Sequence, residues 1–572
     1  MRSGLFHGII ARMSQASQVF GRQPTTQPSE PEVRSSAVAT GGGMMRSAAI
    51  VAIAYVLSRI LGLLREMILA RKFGTSPEMD AYVAAFRIPD LLFLVVMSGA
   101  FGAAFIPVFA GFIDRDDREK ASRLASSMLT WTGLGILVLS ALAFFLASPL
   151  TSVVAPGYDT YTHNLTVELM RPLLLSPVFL GLAIASKGIL EAQNQFAWPA
   201  FAPVLYNLAI IVGAYFFADE FGIHAVVWGV IIGAFLQLAL QAPAVIRTGL
   251  KLRPTLDRTV DGLTDVLRLL GPRVVGLAAF QLNFIVITAF ASMLGGQYPS
   301  GLNYAWLLLM LPHGVLALSM STVAFPSLAA LFGRGDRDGF ARLLDRTMRP
   351  LLFLSIPASV ALVMIGREVI MIIFEGGRFD GESTDIVARA FFWFALGLVG
   401  YGLTEIVTRV FYAMKDTRTP VITTILTVML NIILARLLMD PLGVEGLAMA
   451  LTVTTAAEAI IMMAFLKQRS GRIFSEGFFS WLMRVLLSAG IMGFVISISR
   501  PWLSGVLESD TNFVVHVIYF SLCIALYIFT FIWAAWVLRV PELMALTERV
   551  GGMIPSRVLA RIPQRGRAMD ES

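Results

Sequence analysis

Apolar runs of bilayer-spanning length recur along the chain, separated by short polar turns. They predict an all-α polytopic membrane protein with about fourteen transmembrane helices. The spans fall near residues 47–69, 80–112, 126–148, 166–190, 198–218, 223–246, 268–294, 302–332, 349–374, 384–413, 418–439, 443–466, 478–500 and 513–538.

The first two spans break the apolar pattern in an ordered way. At about 100° per residue, Ser58, Arg59, Gly62, Arg65 and Glu66 fall within one arc of roughly 120°, and Val56, Leu57, Ile60, Leu61 and Leu64 fill the other side. In the next span Asp80, Arg87 and Asp90 share a face, with Pro89 beside them as a kink signal. A charge at bilayer depth costs at least about 2.5–3.5 kcal/mol, so such residues face protein or a water-filled cavity. The pattern therefore predicts a hydrated, cationic cavity walled by the first two spans, fit for an anionic headgroup. A self-neutralised structural cluster is the competing reading, with Arg59 or Arg65 paired to Glu66, Asp80 or Asp90.

Composition agrees with the span pattern. The 572 residues are 56% hydrophobic and 15% charged, with a mean hydropathy of +0.74, more apolar than a soluble domain requires. The net charge of +7 does not point to nucleic acid, because the cations sit mostly in short loops. Arg115, Arg118, Lys120 and Arg123 follow span two; Arg247, Lys251, Arg253 and Arg258 follow span six. Arg334, Arg337, Arg342 and Arg346 follow span eight, and Lys467, Arg469 and Arg472 follow span twelve. The loops after spans three, five and seven carry no Lys or Arg. By the positive-inside rule both termini are cytoplasmic. The single cysteine, Cys523, excludes an intrachain disulfide and reads as packing.

A repeat runs through the sequence. Arg115, Asp117, Arg118, Arg123 and Leu124 match Arg334, Asp336, Arg337, Arg342 and Leu343 at a constant offset, and Ala192 and Pro199 echo Ala413 and Pro420. Two pseudo-symmetric six-helix lobes follow, at residues 45–247 and 248–467, around a central cavity. Spans thirteen and fourteen (468–540) form an appendix, with a disordered tail at 1–44 and a cytoplasmic tail at 541–572.

Other polar residues within spans carry two readings each. Gln281 and Asn283 serve as interhelical hydrogen-bonding glue or as cavity residues. Glu405 and Arg409, spaced i and i+4, pair on span ten and are candidates for substrate or ion contact. His313, between Pro312 and Gly314, marks a helix distortion or a proton relay. Arg71, Lys72, Arg171, Lys187 and Glu191 sit near span ends as snorkelling groups. No phosphate-binding loop, HExxH, paired-cysteine or GxSxG motif occurs, and Asp114–Asp117 reads as a solvated loop, so neither a catalytic residue nor a metal site is expected.

Three stretches carry a family likeness: SRILGLLREMILARKFGTSPEMDAYVAAFRIPDLL followed by Gly99–Phe109, then Gly188–Ile211, and Arg409–Val421. Leu270–Ser292 and Met310–Leu328 add to it. Together they resemble the MurJ/MviN family of lipid II flippases, within the multidrug/oligosaccharidyl-lipid/polysaccharide exporter superfamily. The resemblance implies alternating access that moves undecaprenyl-pyrophosphate-linked disaccharide-pentapeptide from the inner to the outer leaflet of a bacterial cell membrane. It implies a lipid-tail groove at spans thirteen and fourteen, and headgroup binding at Arg59 and Arg65 with Ser58 and Asp80 beside them. Arg87 joins this substrate-binding set as a further candidate, and Glu66, Asp90, Gln281, Asn283, Glu405 and Arg409 form a secondary cavity set. No cofactor is implied; membrane potential or sodium resets the cycle. The implied partners are lipid II, membrane lipids and cell-wall synthesis proteins. The chain departs from the family at Phe93 and Leu307, where well-studied members carry arginines. The alternatives are a flippase for another undecaprenyl-linked glycan and a transport-dead cell-wall scaffold.

Overall fold

A computed structural model describes residues 41–97, 105–257, 259–263, 281–471, 473–509 and 512–544. The expected tails (most of 1–44 and 541–572), Arg258, Arg472 and parts of the stretches at 99–109 and 270–292 lie outside the described residues. Residues 1–50 form one unit and 51–572 another. Only the opening turns of one helix are described in the first unit, and the membrane architecture belongs to the second.

Among the described residues the chain is helical, without a named strand. The helices run in order as α1 (Gly41–Phe73), α2 (Pro77–Met97), α3 (Ile106–Asp114), α4 (Arg118–Phe145), α5 (Ala147–Val154), α6 (Thr160–Leu173) and α7 (Ser176–Ala192). Then come α8 (Ala197–Val212), a π-helical turn (Gly213–Phe217), α9 (Ala218–Phe221), α10 (Ile223–Arg247) and α11 (Gln281–Met293). The second half holds α12 (Tyr298–His313), a π-helical turn (Gly314–Leu318), α13 (Ser319–Gly333), α14 (Arg337–Phe374), α15 (Gly381–Leu396) and α16 (Leu398–Ala413). It closes with α17 (Arg418–Leu442), α18 (Val444–Ser470), α19 (Phe478–Leu507) and α20 (Phe513–Val537).

Ten helical segments among the described residues are long and apolar enough to cross a membrane, three of them made of consecutive helices (α6–α7, α8–α9 and α12–α13), or eleven when α15 and α16, bent by 48°, count as one. The remaining expected spans fall on α1, with its internal charges, on α2 and α3, and on α11. A count of fourteen is compatible with this set. The expected span 166–190 is too short: the helical segment starts at Thr160, where Asp159 caps the amides of Tyr161 and Thr162, and ends at Ala192. Its polar first turns hide it from a hydropathy window. The short α5 in the preceding loop has no counterpart in the expected spans.

The two halves repeat their turns as well as their sequence. Asp116 and Gly335 both take positive φ (55° and 71°), and the next residue, Asp117 or Asp336, caps the following helix through the amide of Lys120 or Gly339. Asn194 and Lys415 share φ 59°, and Gly222 and Gly443 have φ 57° and 58°. A side chain in the left-handed region costs roughly 1–2 kcal/mol outside glycine, so this shared geometry is a structural property of both copies.

Packing differs between the two ends. At the end away from the basic loops, one buried core joins both halves, taking in Leu69 and Ala84 from the first and Tyr304, Phe374 and Phe391 from the second. At the basic end the halves have separate cores, one around Phe105, Phe109 and Leu124 and another around Phe340, Met348 and Phe411. Helices α19 and α20 pack with α14 in a fourth cluster, where Cys523 is buried. After α10 the extended chain lies along α4. The amides of Lys251, Arg253 and Thr255 donate to the hydroxyls of Ser122, Ser126 and Thr130, so every second residue of the extended segment meets every fourth helix residue.

Within the first half, α10 approaches α8 closely because it presents glycine there. A Cβ on Gly229 would stand 3.0 Å from the carbonyl oxygen of Ala209, and one on Gly233 would stand 2.8 Å from that of Tyr206. Gly233→Val is expected to force these helices apart, at a cost of about 1–3 kcal/mol for overpacking. A lower melting temperature in detergent checks it; an unchanged melting temperature contradicts it.

Candidate functional site

Helix α1 carries its charges across the middle of the molecule, and each meets a different neighbour. Arg65 donates from Nη1 to Oδ1 of Asn207 on α8 at 3.0 Å and from Nε to Glu66 at 2.9 Å. The Asn207 amide then donates to the carbonyl of Ser58 at 3.2 Å. Tyr206 and Ala209, which flank Asn207 on α8, carry the carbonyls that Gly233 and Gly229 of α10 approach. Glu66 and Asn207 are buried, and Tyr82, Tyr206 and Asp90 lie within electrostatic reach of Arg65. A half-buried cation is thus neutralised by one carboxylate and fixed by one amide, as its partial desolvation requires.

Arg59 is placed differently. Its side chain is exposed, and among the described residues no carboxylate pairs with it. It points to the second half, where the Cβ that Gly314 lacks would lie 3.6 Å from Nη2. Gly314 opens the π-helical turn directly after His313, where the sequence predicts a distortion. The His313 Nδ1 is buried without a partner, and Glu405 lies within electrostatic reach of the ring. Glu405 accepts from Nε of Arg409 at 2.9 Å, the expected i, i+4 pair, and Nη1 of Arg409 donates to Thr322 at 2.8 Å. Arg59 therefore reaches the second half at the π-helical turn, beside His313, the residue whose ring Glu405 of α16 faces electrostatically.

Arg87 also joins the halves. Its Nε donates to Thr288 of α11 at 2.9 Å, and its guanidinium stands 5.7 Å from the Phe284 ring centre. Asp90 lies within electrostatic reach of both Arg87 and Arg65. Asn283 accepts from Asn431 at 2.6 Å, tying α11 to α17, and Gln281 is buried on the same helix. Of the two positions where the resemblance leads one to expect arginine, Phe93 packs against the first-half core at the basic end, and Leu307 is half-buried on α12.

Asp80 sits apart from this group, at the far end. It is fully buried, and its two oxygens accept from the amides of Gln297 at 2.6 Å and Ser300 at 2.8 Å. Those amides belong to the first turn of α12, whose cap residue Gln297 has positive φ and no capping side chain of its own. Asp80 supplies that cap from the other half, matching a carboxylate to a helix N-terminus. The Tyr158 hydroxyl donates to the Asp80 carbonyl at 2.9 Å, Thr75 and Ser383 share a hydrogen bond of 2.9 Å, and the amide of Arg378 donates to the carbonyl of Arg71 at 2.8 Å. The far end is closed by buried hydrogen bonds.

Asn207, Thr288 and Thr322 are the polar partners that the span pattern did not single out. Each is a small polar residue within a largely apolar helix, a signal shared by many packing residues. Arg71 stacks near Phe513 (5.7 Å), Lys72 pairs with Asp219 (2.7 Å), Arg171 stacks near Phe144 (5.5 Å) and Lys187 pairs with Glu191 (3.7 Å). No cluster of His, Cys, Asp or Glu able to hold a metal occurs among the described residues.

Residues 69–522 match the family model described as lipid II flippase MurJ. A lipid II flippase MurJ of Burkholderia cenocepacia is 31% identical over 449 residues, covering 76% of this chain and 87% of that protein. A probable lipid II flippase MurJ of Buchnera aphidicola is 30% identical over 441 residues, covering 76% and 86%. A solved lipid II flippase MurJ in an inward closed conformation superposes with a TM-score of 0.71 at 27% identity, covering 86% of this chain and 99% of that one. An inward-facing MATE family transporter of the MOP superfamily shares the fold, with a TM-score of 0.64 at 17% identity.

Loss of the cap tests the closure of the far end. Asp80→Ala removes both acceptors, at about 1–2 kcal/mol by the scale of helix caps, and so lowers the ratio of closed to open at that end by about tenfold. Spin labels at Tyr161 and Arg378, in a Cys523→Ala background, report it as a longer distance component. An unchanged distance distribution contradicts it.

Proposed function

The chain belongs to the lipid II flippase MurJ family, and we propose that it moves lipid II from the inner to the outer leaflet of the cell membrane by alternating access. The observation that carries this reading is Arg59, an exposed cation without an acidic partner among the described residues, set between two halves of a polytopic membrane protein. A pyrophosphate headgroup is the complementary ligand, because guanidinium binds phosphate oxygens through paired, charge-assisted hydrogen bonds. Arg65, already paired with Glu66, supplies a second guanidinium that Asn207 holds in place. The sugars and peptide meet the polar surface formed by Ser58, Thr322, Glu405 and Arg409, while the prenyl tail stays in lipid.

With both termini on the cytoplasmic side, as the loop charges imply, the basic end is cytoplasmic. The separate cores there and the joined core at the other end then describe a conformation closed toward the outside. Reversal breaks the Asp80 cap and its neighbouring hydrogen bonds and brings the basic-end cores together. Membrane potential assists the return step, since each charge crossing the field is worth about 2.3 kcal/mol per 100 mV. Cell-wall synthesis proteins are the partners this activity calls for.

Complementation of a bacterium depleted of its own lipid II flippase tests the reading, at matched expression. Wild type is expected to restore growth and Arg59→Ala to fail, with Arg65→Ala impaired at least tenfold in viable count. A well-expressed wild type that gives no rescue rejects lipid II as the substrate. Full rescue by Arg59→Ala removes that arginine from the headgroup site.

A further inference from the structure

A cavity of about 930 Å³ opens at the end away from the basic loops, between α14, α15, α18 and α19. Its charged lining is balanced, with Arg367, Arg389 and Arg500 against Glu382, Asp385 and Glu445. Part of that charge is already used. Arg367 pairs with Asp385 at 2.9 Å, and Arg500 pairs at 2.8 Å with Glu368, a residue 1% exposed that also accepts from Ser504. Arg389, Glu382 and Glu445 have no ion-pair partner among the described residues. The cavity thus offers one free cation and two free anions.

The lining is also graded along the membrane normal. Glu382 and Glu445 lie in the first turns of α15 and α18, and Arg500 lies two turns before the end of α19. Leu362, Val363, Phe392 and Trp393 lie one to three turns further from that end and supply the apolar wall. A soluble zwitterion has no use for this wall, whereas an amphipath lying along the helices uses both parts.

We propose that this cavity binds a zwitterionic phospholipid of the adjoining leaflet. Its phosphate rests on Arg389, its ammonium between Glu382 and Glu445, and one acyl chain lies against Phe392 and Trp393. The site is separate from the polar group around Arg59, and it does not depend on which lipid-linked glycan is carried.

The test is native mass spectrometry of the full-length protein, released from detergent with phosphatidylethanolamine or phosphatidylglycerol added at equal concentration. Wild type is expected to retain one phosphatidylethanolamine at least fivefold more than phosphatidylglycerol. The double variant Glu382→Gln, Glu445→Gln is expected to lose that preference, Arg389→Ala to lose both lipids at this site, and Arg389→Lys to keep phosphatidylethanolamine. Monodisperse elution of each variant shows that it has folded. Equal retention of the two lipids by wild type, or wild-type retention by Arg389→Ala, overturns the proposal. Displacement of the lipid by millimolar O-phosphoethanolamine overturns it in favour of a soluble zwitterion.

Discussion

A guanidinium within a bilayer must be paired or kept in water, and this constraint orders the middle of the molecule. Arg65, Arg87 and Arg409 are each tied to a neighbour: Arg65 to Glu66 and Asn207, Arg87 to Thr288, Arg409 to Glu405 and Thr322. These pairs need α8, α11, α13 and α16 at fixed positions around α1 and α2. Arg59 is left over, on the same face of α1 as Arg65 but turned to the other half. A protein gains little stability from an unpaired cation, so its placement is best explained by a ligand.

The same logic, with opposite charge, governs the far end. Asp80 is fully buried and survives there because two backbone amides receive it. The contact fastens the first half to the first turn of α12 without a countercharge. A closure made from a cap and a few hydrogen bonds is worth a few kcal/mol, the range in which ligand binding or membrane potential reverses an equilibrium. The apolar core shared by the halves adds area to that closure, and the separate basic-end cores leave room for the converse state.

Much of this was legible in the sequence. Span length and the charged stripe on α1 foretold a polytopic protein with polar groups facing inward, and the Asp-capped turns made the repeat readable at Asp117 and Asp336. The Pro312–Gly314 triplet pointed to the π-helical turn, and the i, i+4 spacing gave the Glu405–Arg409 pair. The partners across the chain were not legible. Asn207 reaches Arg65 over 142 positions, and Asp80 reaches amides 217 and 220 positions away. Backbone donors leave no mark in side-chain patterning, so a motif that set Asp80 beside the headgroup arginines gave no sign that both its oxygens are engaged at the far end. The ladder from Ser122, Ser126 and Thr130 to residues 251–255 escaped for the same reason.

If Arg59 is free to hold the pyrophosphate of a lipid-linked glycan, its charge and its forked geometry both count in binding. Binding of purified lipid II to the full-length protein in lipid nanodiscs tests this most directly, comparing wild type with Arg59→Gln and Arg59→Lys. Arg59→Gln is expected to weaken binding at least tenfold, Arg59→Lys to weaken it to an intermediate level because charge remains and the fork is lost, and the wild-type affinity to fall with added salt. Equal affinity of Arg59→Gln and wild type would contradict a headgroup role for Arg59.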